Sequence, residues 1–136
     1  MKNPHDVQVV FKHLPGSAAN GSINAAKAAR AAALQNRFWD MHDVLFQFSR
    51  TRSKKEVHDL ALILALNLDQ FKKDFDDQSQ LALIKKDASL ARSWGISSTP
   101  AFFVNGLPVS ASGDLEQAVN TARRLKPSAS QSASFR

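Results

Sequence analysis

The sequence predicts an α/β fold in which a run of helices separates an early β-strand from a late β-hairpin. Three observations lead to this prediction. Apolar and polar side chains largely alternate over Val7–Lys12, which is the period of a strand. Apolar residues then recur at every third or fourth position through the middle of the chain, as they do in amphipathic helices. Finally, an apolar run over Ala101–Val104 ends in Asn105-Gly106, a strong signal for a tight hairpin.

The helices are predicted from their apolar faces and from residues that start or stop a helix. Ser53 and Glu56 form a capping box. Asn36 and Asn67 tolerate positive φ and are predicted to end the first and the third helix, and Asp69 is predicted to cap the fourth. The predicted apolar faces are, in chain order, the alanines of 25–35; Phe38, Met41, Leu45 and Phe48; Val57, Leu60, Ala61 and Leu64; Phe71 and Phe75; Leu81, Ile84, Ala88 and Ala91; and Leu115, Ala118, Ala122 and Leu125.

The hairpin is the most specific local prediction. Pro100 lacks an N–H group, so it belongs at the first position or the edge of the strand that follows it. Asn105-Gly106 readily adopts positive φ at two successive residues, as a type I′ turn requires. Leu107-Pro108-Val109 forms the second arm, and Pro108 marks that arm as an edge strand.

Two segments carry a resemblance to a known family. Ser98-Thr99-Pro100-Ala101-Phe102 and the hairpin after it resemble the cis-proline loop and hairpin of DsbA-like thiol-disulfide oxidoreductases and protein disulfide isomerases. Arg37–Phe46 matches that family's F-W-x-x-H-D-x-L-F pattern. The resemblance implies an α/β, thioredoxin-like (DsbA-like) fold over residues 1–126. It also implies a helical insertion over about residues 24–94, and the polar, small-sided residues 127–136 are expected to form a disordered tail.

The chain departs from this family at its front. Family members begin with a strand, a C-x-x-C motif and a redox helix, whereas this sequence starts directly before the strand at Val7, and we expect the first strand and redox helix to be absent. The chain contains no cysteine. Thiol-disulfide exchange needs a thiolate that attacks a disulfide sulfur, so the chain as it stands has no catalytic residue for that reaction. Whether Met1 is the native start is not decided by the sequence.

The candidate site residues come from the resemblance. In the family, the residue before the cis-proline offers its backbone to an extended peptide, which implies substrate binding by Ser98, Thr99, Pro100 and Ala101. No cofactor is expected. His5, His13, His42 and His58 are far apart in the sequence and have no ligand-like spacing, so no metal site is expected either.

The predicted function is that of a DsbA-like thiol-disulfide oxidoreductase or isomerase domain which is redox-inactive without cysteines, so enzymatic activity of this chain stays undecided. One alternative is a non-catalytic peptide-binding or self-assembly module of thioredoxin fold. Another is a glutathione-transferase or isomerase relative of the same fold. Thr99 argues against the last alternative, because that class usually has valine before its proline.

The expected partners are an extended polypeptide and either a second copy of the chain or a missing N-terminal segment. Net charge +6 permits nucleic-acid binding, but the basic residues alternate with acidic ones and no nucleic-acid motif is present, so no such partner is expected. No apolar run reaches membrane-spanning length, and no membrane contact is expected. No secretory leader is evident, so the localisation is open, although the resemblance implies the periplasm.

Overall fold

The structure is a computed structural model that describes residues 6–16, 20–48, 53–110 and 112–125. Within these ranges it contains six helices and two strands. They are α1 (Asn20–Ala33), α2 (Phe38–Gln47), α3 (Lys54–Ile63), α4 (Leu68–Asp76), α5 (Gln78–Ser93), β1 (Phe102–Val104), β2 (Leu107–Val109) and α6 (Leu115–Arg124). Two compact units result, residues 1–95 and residues 96–136. No described helix is both long and apolar enough to cross a membrane. The tail predicted at 127–136 lies outside the described residues.

The capping box predicted at the start of α3 is confirmed. The Ser53 hydroxyl accepts a hydrogen bond from the Glu56 N–H at 3.2 Å, and the Glu56 carboxylate accepts one from the Ser53 N–H at 2.7 Å. The two bonds satisfy two N–H groups that the first turn of a helix leaves without partners. This fixes where α3 begins.

The predicted helix stops are right in one case and wrong in the other. Asn36 follows α1 with φ 58°, as expected. Asn67 does not end α3, because the positive φ (53°) belongs to Ala65, and the Leu66 N–H returns to the Ala61 carbonyl at 3.0 Å. The side chain of Asn67 instead caps α4 by accepting from the Gln70 N–H, a role that we had predicted for Asp69.

The core of the first unit forms around α1, which contacts each of α2, α3, α4 and α5. Small side chains on α1 make this possible, because Ala28, Ala31 and Ala32 are fully buried and let neighbouring helices approach closely. The larger core side chains come from the other helices and are Met41, Val57, Leu60, Phe71, Phe75 and Ile84. Phe48, predicted on the apolar face of α2, is exposed.

The predicted first strand is not formed in the described structure, because residues 7–12 have no strand partner. Residues 7–16 have no helical or ladder assignment, and no described main-chain group pairs with Val7–Phe11. The segment is anchored at its later end. Asp87 of α5 accepts from the His13 N–H at 3.1 Å and from the Lys12 ammonium at 3.3 Å. Phe11 packs on Phe38 of α2, with ring centroids 5.2 Å apart.

The anchor predicts a pH dependence of stability. Burial lowers the pKa of His13 below its ordinary 6.5; Arg30 and Lys12 lower it further, and Asp87 opposes them. His58 shifts in the same direction, through burial and then Lys54 and Lys72, against Asp76 and Asp59. The unfolded chain therefore binds protons first as the pH falls below 6.5, so stability is complete above 6.5 and declines below it.

This decline is measured by urea unfolding at a series of pH values. His13→Gln removes one of the two histidines whose pKa is lowered, and we expect it to reduce the slope of unfolding free energy against pH just below 6.5. The lowered pKa of Asp76 does not affect the slope of unfolding free energy in this pH range. The pKa of Asp76 is lowered from 3.8 by the hydrogen bond from Lys54, so its stabilising effect is lost only in more acidic solution. A slope unchanged by His13→Gln would contradict the assignment.

Candidate functional site

The candidate site begins where α5 ends. Gly95 has φ +73°, and its N–H donates to the Arg92 carbonyl at 3.0 Å, so the chain leaves the helix through a conformation that suits glycine. Ile96 is half-buried, and Ser97–Ala101 then forms an exposed loop. The peptide bond between Thr99 and Pro100 is cis. The four predicted site residues, Ser98, Thr99, Pro100 and Ala101, therefore lie together on one exposed surface.

The predicted hairpin is confirmed. β1 and β2 pair antiparallel, with Phe102 opposite Val109, Phe103 opposite Pro108 and Val104 opposite Leu107. The turn between them has φ 48° at Asn105 and 81° at Gly106, the two successive positive values that a type I′ turn requires. The turn fixes the register, so the exposed loop leads directly into a strand of defined orientation.

The second unit has little core of its own. Asp114 caps α6 by accepting from the Gln117 N–H at 3.0 Å, and α6 contacts β1. None of the described residues from 96 to 125 is fully buried. Leu125, predicted to face inward, is 65% exposed, so that prediction was wrong. Three large apolar side chains of the hairpin are also exposed: Phe102, Phe103 and Leu107.

The electrostatics of the site are simple, because no charged residue occurs between Arg92 and Asp114. The main chain of Ser98–Ala101 makes no hydrogen bond to any other described residue. Among the described strands, β1 pairs only with β2. The site therefore offers main-chain donors and acceptors beside exposed aromatic rings, which suits the addition of an extended strand and not the recognition of a charged group.

Sequence reasoning located the loop but missed its apolar neighbours. The sequence predicts Phe102 and Phe103 in a strand but not their exposure, because a three-residue apolar run shows no alternation that would reveal an open face. The histidines do not converge on the site. Within the described ranges no three His, Asp or Glu side chains are arranged to hold a metal ion, and His5 lies outside those ranges.

The block of helices, the loop with its cis Thr99–Pro100 bond, the hairpin and the following helix define a thioredoxin-like fold of the DsbA type. A family model described as thioredoxin matches residues 3–122. The match covers most of the chain, and the chain belongs to the thioredoxin family. The fold class predicted from the sequence is confirmed.

Two solved structures share this fold. A thioredoxin-like oxidoreductase from Silicibacter pomeroyi matches with a TM-score of 0.74 and 29% identity, covering 86% of this chain and 69% of that one. The thiol-disulfide exchange protein alpha-DsbA2 from Wolbachia pipientis matches with a TM-score of 0.75, covering 86% of this chain and 64% of that one. Its 21% identity shows the fold alone. Roughly a third of each neighbour has no counterpart here.

Curated relatives carry another name. A Na(+)/H(+) antiporter NhaA 3 from Salinispora tropica is 37% identical over 101 residues, which is 74% of this chain but 16% of that protein. A Na(+)/H(+) antiporter NhaA from Herminiimonas arsenicoxydans is 33% identical over 101 residues, with the same coverage. The chain spans about a sixth of the length of these relatives, so their names describe proteins much larger than the part that matches.

Proposed function

We propose that this chain is the peptide-docking part of a DsbA-like thiol-disulfide oxidoreductase or isomerase. An extended polypeptide adds to the exposed loop Ser98–Ala101 and continues along β1. The observation that carries the proposal is the exposed, uncharged loop whose main chain has no hydrogen-bond partner in the described structure and which leads into a two-stranded hairpin. Such a surface gives affinity through main-chain hydrogen bonds and tolerance of many sequences.

The redox step requires sulfur that this chain does not contain. Exchange proceeds by attack of a thiolate on a disulfide, and the chain has no cysteine to supply either sulfur. In this proposal the reactive pair belongs to a segment outside the chain, and that segment also covers the apolar side chains exposed on the hairpin. We place the complete protein in the periplasm, because thiol oxidants of this type work where disulfides persist.

Peptide docking is tested with a fluorescein-labelled peptide of about ten residues with an apolar centre, titrated with the chain and followed by anisotropy. Ala101→Pro removes one main-chain N–H from the docking edge, and we expect it to weaken binding about tenfold. Thr99→Ala changes the adjacent side chain but leaves every N–H in place, so its affinity is expected to stay within about twofold.

Circular dichroism of both variants verifies that the chain remains folded. Two results count against peptide docking at this loop. The first is equal affinity of Ala101→Pro and the unsubstituted chain, and the second is no binding by the unsubstituted chain at peptide concentrations up to about 1 mM.

The absence of cysteine also favours a second function, that of a non-catalytic peptide-binding module. In this case no redox segment is needed, and docking at Ser98–Ala101 is the whole activity. The two functions differ in what precedes Met1 in the reading frame. A C-x-x-C motif upstream supports the oxidoreductase, whereas a stop codon directly before Met1 supports the binding module.

A further inference from the structure

Residues 7–12 near the N-terminus have no helical or strand assignment and no partner strand in the described structure, and Asp6 before them lies in a turn. Val9 is 55% exposed and Val10 is 57% exposed, although both are β-branched residues that favour paired strands. The main-chain groups of Val7–Phe11 make no hydrogen bond to other described residues. Asp87 and the ring of Phe38 hold the segment against the helices at Phe11, Lys12 and His13. An open edge of this kind pairs readily with another strand.

The sequence of this segment is complementary to itself in the antiparallel direction. When two copies pair about a two-fold axis at Val9, Asp6 of each copy lies opposite Lys12 of the other. Val7 then lies opposite Phe11, and Gln8 lies opposite Val10. Opposite charges at directly facing positions stabilise an antiparallel pair, and aromatic and β-branched residues do the same. A slip by one residue would place Asp6 opposite Phe11 and lose both charge pairs.

The two faces of the resulting ribbon differ. Val7, Val9 and Phe11 share one face of each strand, since alternate side chains point the same way. That face is continuous with an aromatic patch on α2, because the Phe11 ring lies 5.2 Å from Phe38 and 5.5 Å from His42. The other face carries the two charge pairs together with Gln8 and Val10.

We propose that residues 6–12 bind the same residues of a second copy of this chain as an antiparallel pair centred on Val9. The charge complementarity selects a second copy over an unrelated strand. An arbitrary partner strand does not supply both a lysine opposite Asp6 and an aspartate opposite Lys12. A lipid surface is disfavoured, since Asp40 and Asp43 are exposed on the same helix as the patch. The proposal does not depend on peptide docking at Ser98–Ala101.

The first test is the solution mass of the full chain by light scattering, from about 10 µM to about 1 mM, because a contact of this size is weak. We expect the mass to rise from monomer to dimer over this range. Val9→Asp places two carboxylates together at the axis and is expected to keep the chain monomeric. Ile63→Asp is the matched control, since Ile63 is also apolar, is 67% exposed and lies on α3. This variant is expected to dimerise normally.

The second test examines the register by exchanging charges. Asp6→Lys alone places two lysines opposite each other at both ends of the ribbon, and Lys12→Asp alone places two aspartates there. Each variant is expected to dimerise at least about tenfold more weakly, because both cross-strand pairs become repulsive. A mixture of the two variants restores both pairs and is expected to dimerise like the unsubstituted chain. Asp6→Lys mixed with the unsubstituted chain restores one pair only and serves as the comparison.

Several outcomes would overturn the proposal. They are a chain that is monomeric at every concentration, a dimer that Val9→Asp does not weaken, and a mixture that associates no better than either variant alone. Lys12→Asp also loses the contact with Asp87, so its fold is verified by circular dichroism and urea unfolding. Ala101→Pro separates this proposal from peptide docking, because that variant is expected to dimerise fully whether or not it binds peptide.

Discussion

Replacement of Phe71 by alanine is expected to lower the free energy of unfolding by about 3–5 kcal/mol. The Phe71 side chain is fully buried in the core of the first unit. Its ring centroid lies 6.1 Å from that of Phe75 on the next turn of α4 and 5.8 Å from that of His58 on α3. Alanine removes the buried apolar surface and leaves a cavity beside these rings.

The measurement is urea unfolding of the full chain, followed by helical circular dichroism. Phe46→Ala is the matched control, because Phe46 is also a helical phenylalanine but is 79% exposed. This variant is expected to change the unfolding free energy by less than about 0.5 kcal/mol. Equal losses from the two variants would mean that the Phe71 side chain is not buried in the core as described. A loss confined to Phe71→Ala supports the core.

The sequence predicted those parts of the fold that depend on local chemistry. The capping box at Ser53 and Glu56 satisfies N–H groups within one turn, so no distant residue has to be known. The turn at Asn105-Gly106 likewise depends on the backbone preferences of two residues. Both predictions are confirmed for this reason.

Features that depend on packing were less predictable. Ala65 adopts positive φ because Leu66 must return its N–H to Ala61 as the chain enters α4, and nothing in the alanine side chain signals this. The segment at Val7–Phe11 has the pattern of a strand, but a strand exists only with a partner, and none is present in the described structure. The alternating sequence pattern of Val7–Phe11 does not show which strand, if any, pairs with it.

The candidate site shows the same division. Ser98, Thr99, Pro100 and Ala101 were predicted from a motif and lie together on an exposed loop, while their role in binding remains a prediction. The exposure of the hairpin aromatics was not predictable, because it depends on which surfaces remain uncovered after folding.

The second large effect is expected at Asp87, whose carboxylate holds the N-terminal segment to α5. One oxygen accepts from the His13 N–H at 3.1 Å and the other faces the Lys12 ammonium at 3.3 Å. Hydrogen bonds to a charged group contribute about 1.5–3 kcal/mol, so Asp87→Ala is expected to weaken the anchor by about 2 kcal/mol. The segment is then expected to open locally while the helices remain folded, since its other contacts are the ring contacts of Phe11 and His13 with Phe38.

Hydrogen exchange of the His13 amide measures this opening directly, and a loss of about 2 kcal/mol corresponds to exchange roughly thirtyfold faster in Asp87→Ala.

Asp59→Ala is the matched control. It removes an equally well-formed pair, Lys55 to Asp59 at 2.6 Å, but one that lies on the exposed face of a single helix. Exposed pairs of this kind contribute little to stability and this one does not contact the N-terminal segment, so His13 exchange is expected to be unchanged. If His13 exchanges equally fast in both variants, Asp87 is not the anchor. If only Asp87→Ala opens the segment, the Asp87 carboxylate is the group that holds the N-terminal segment on the helices. The same variant is then expected to weaken the antiparallel pairing of two copies, because a loose strand must be ordered before it can pair.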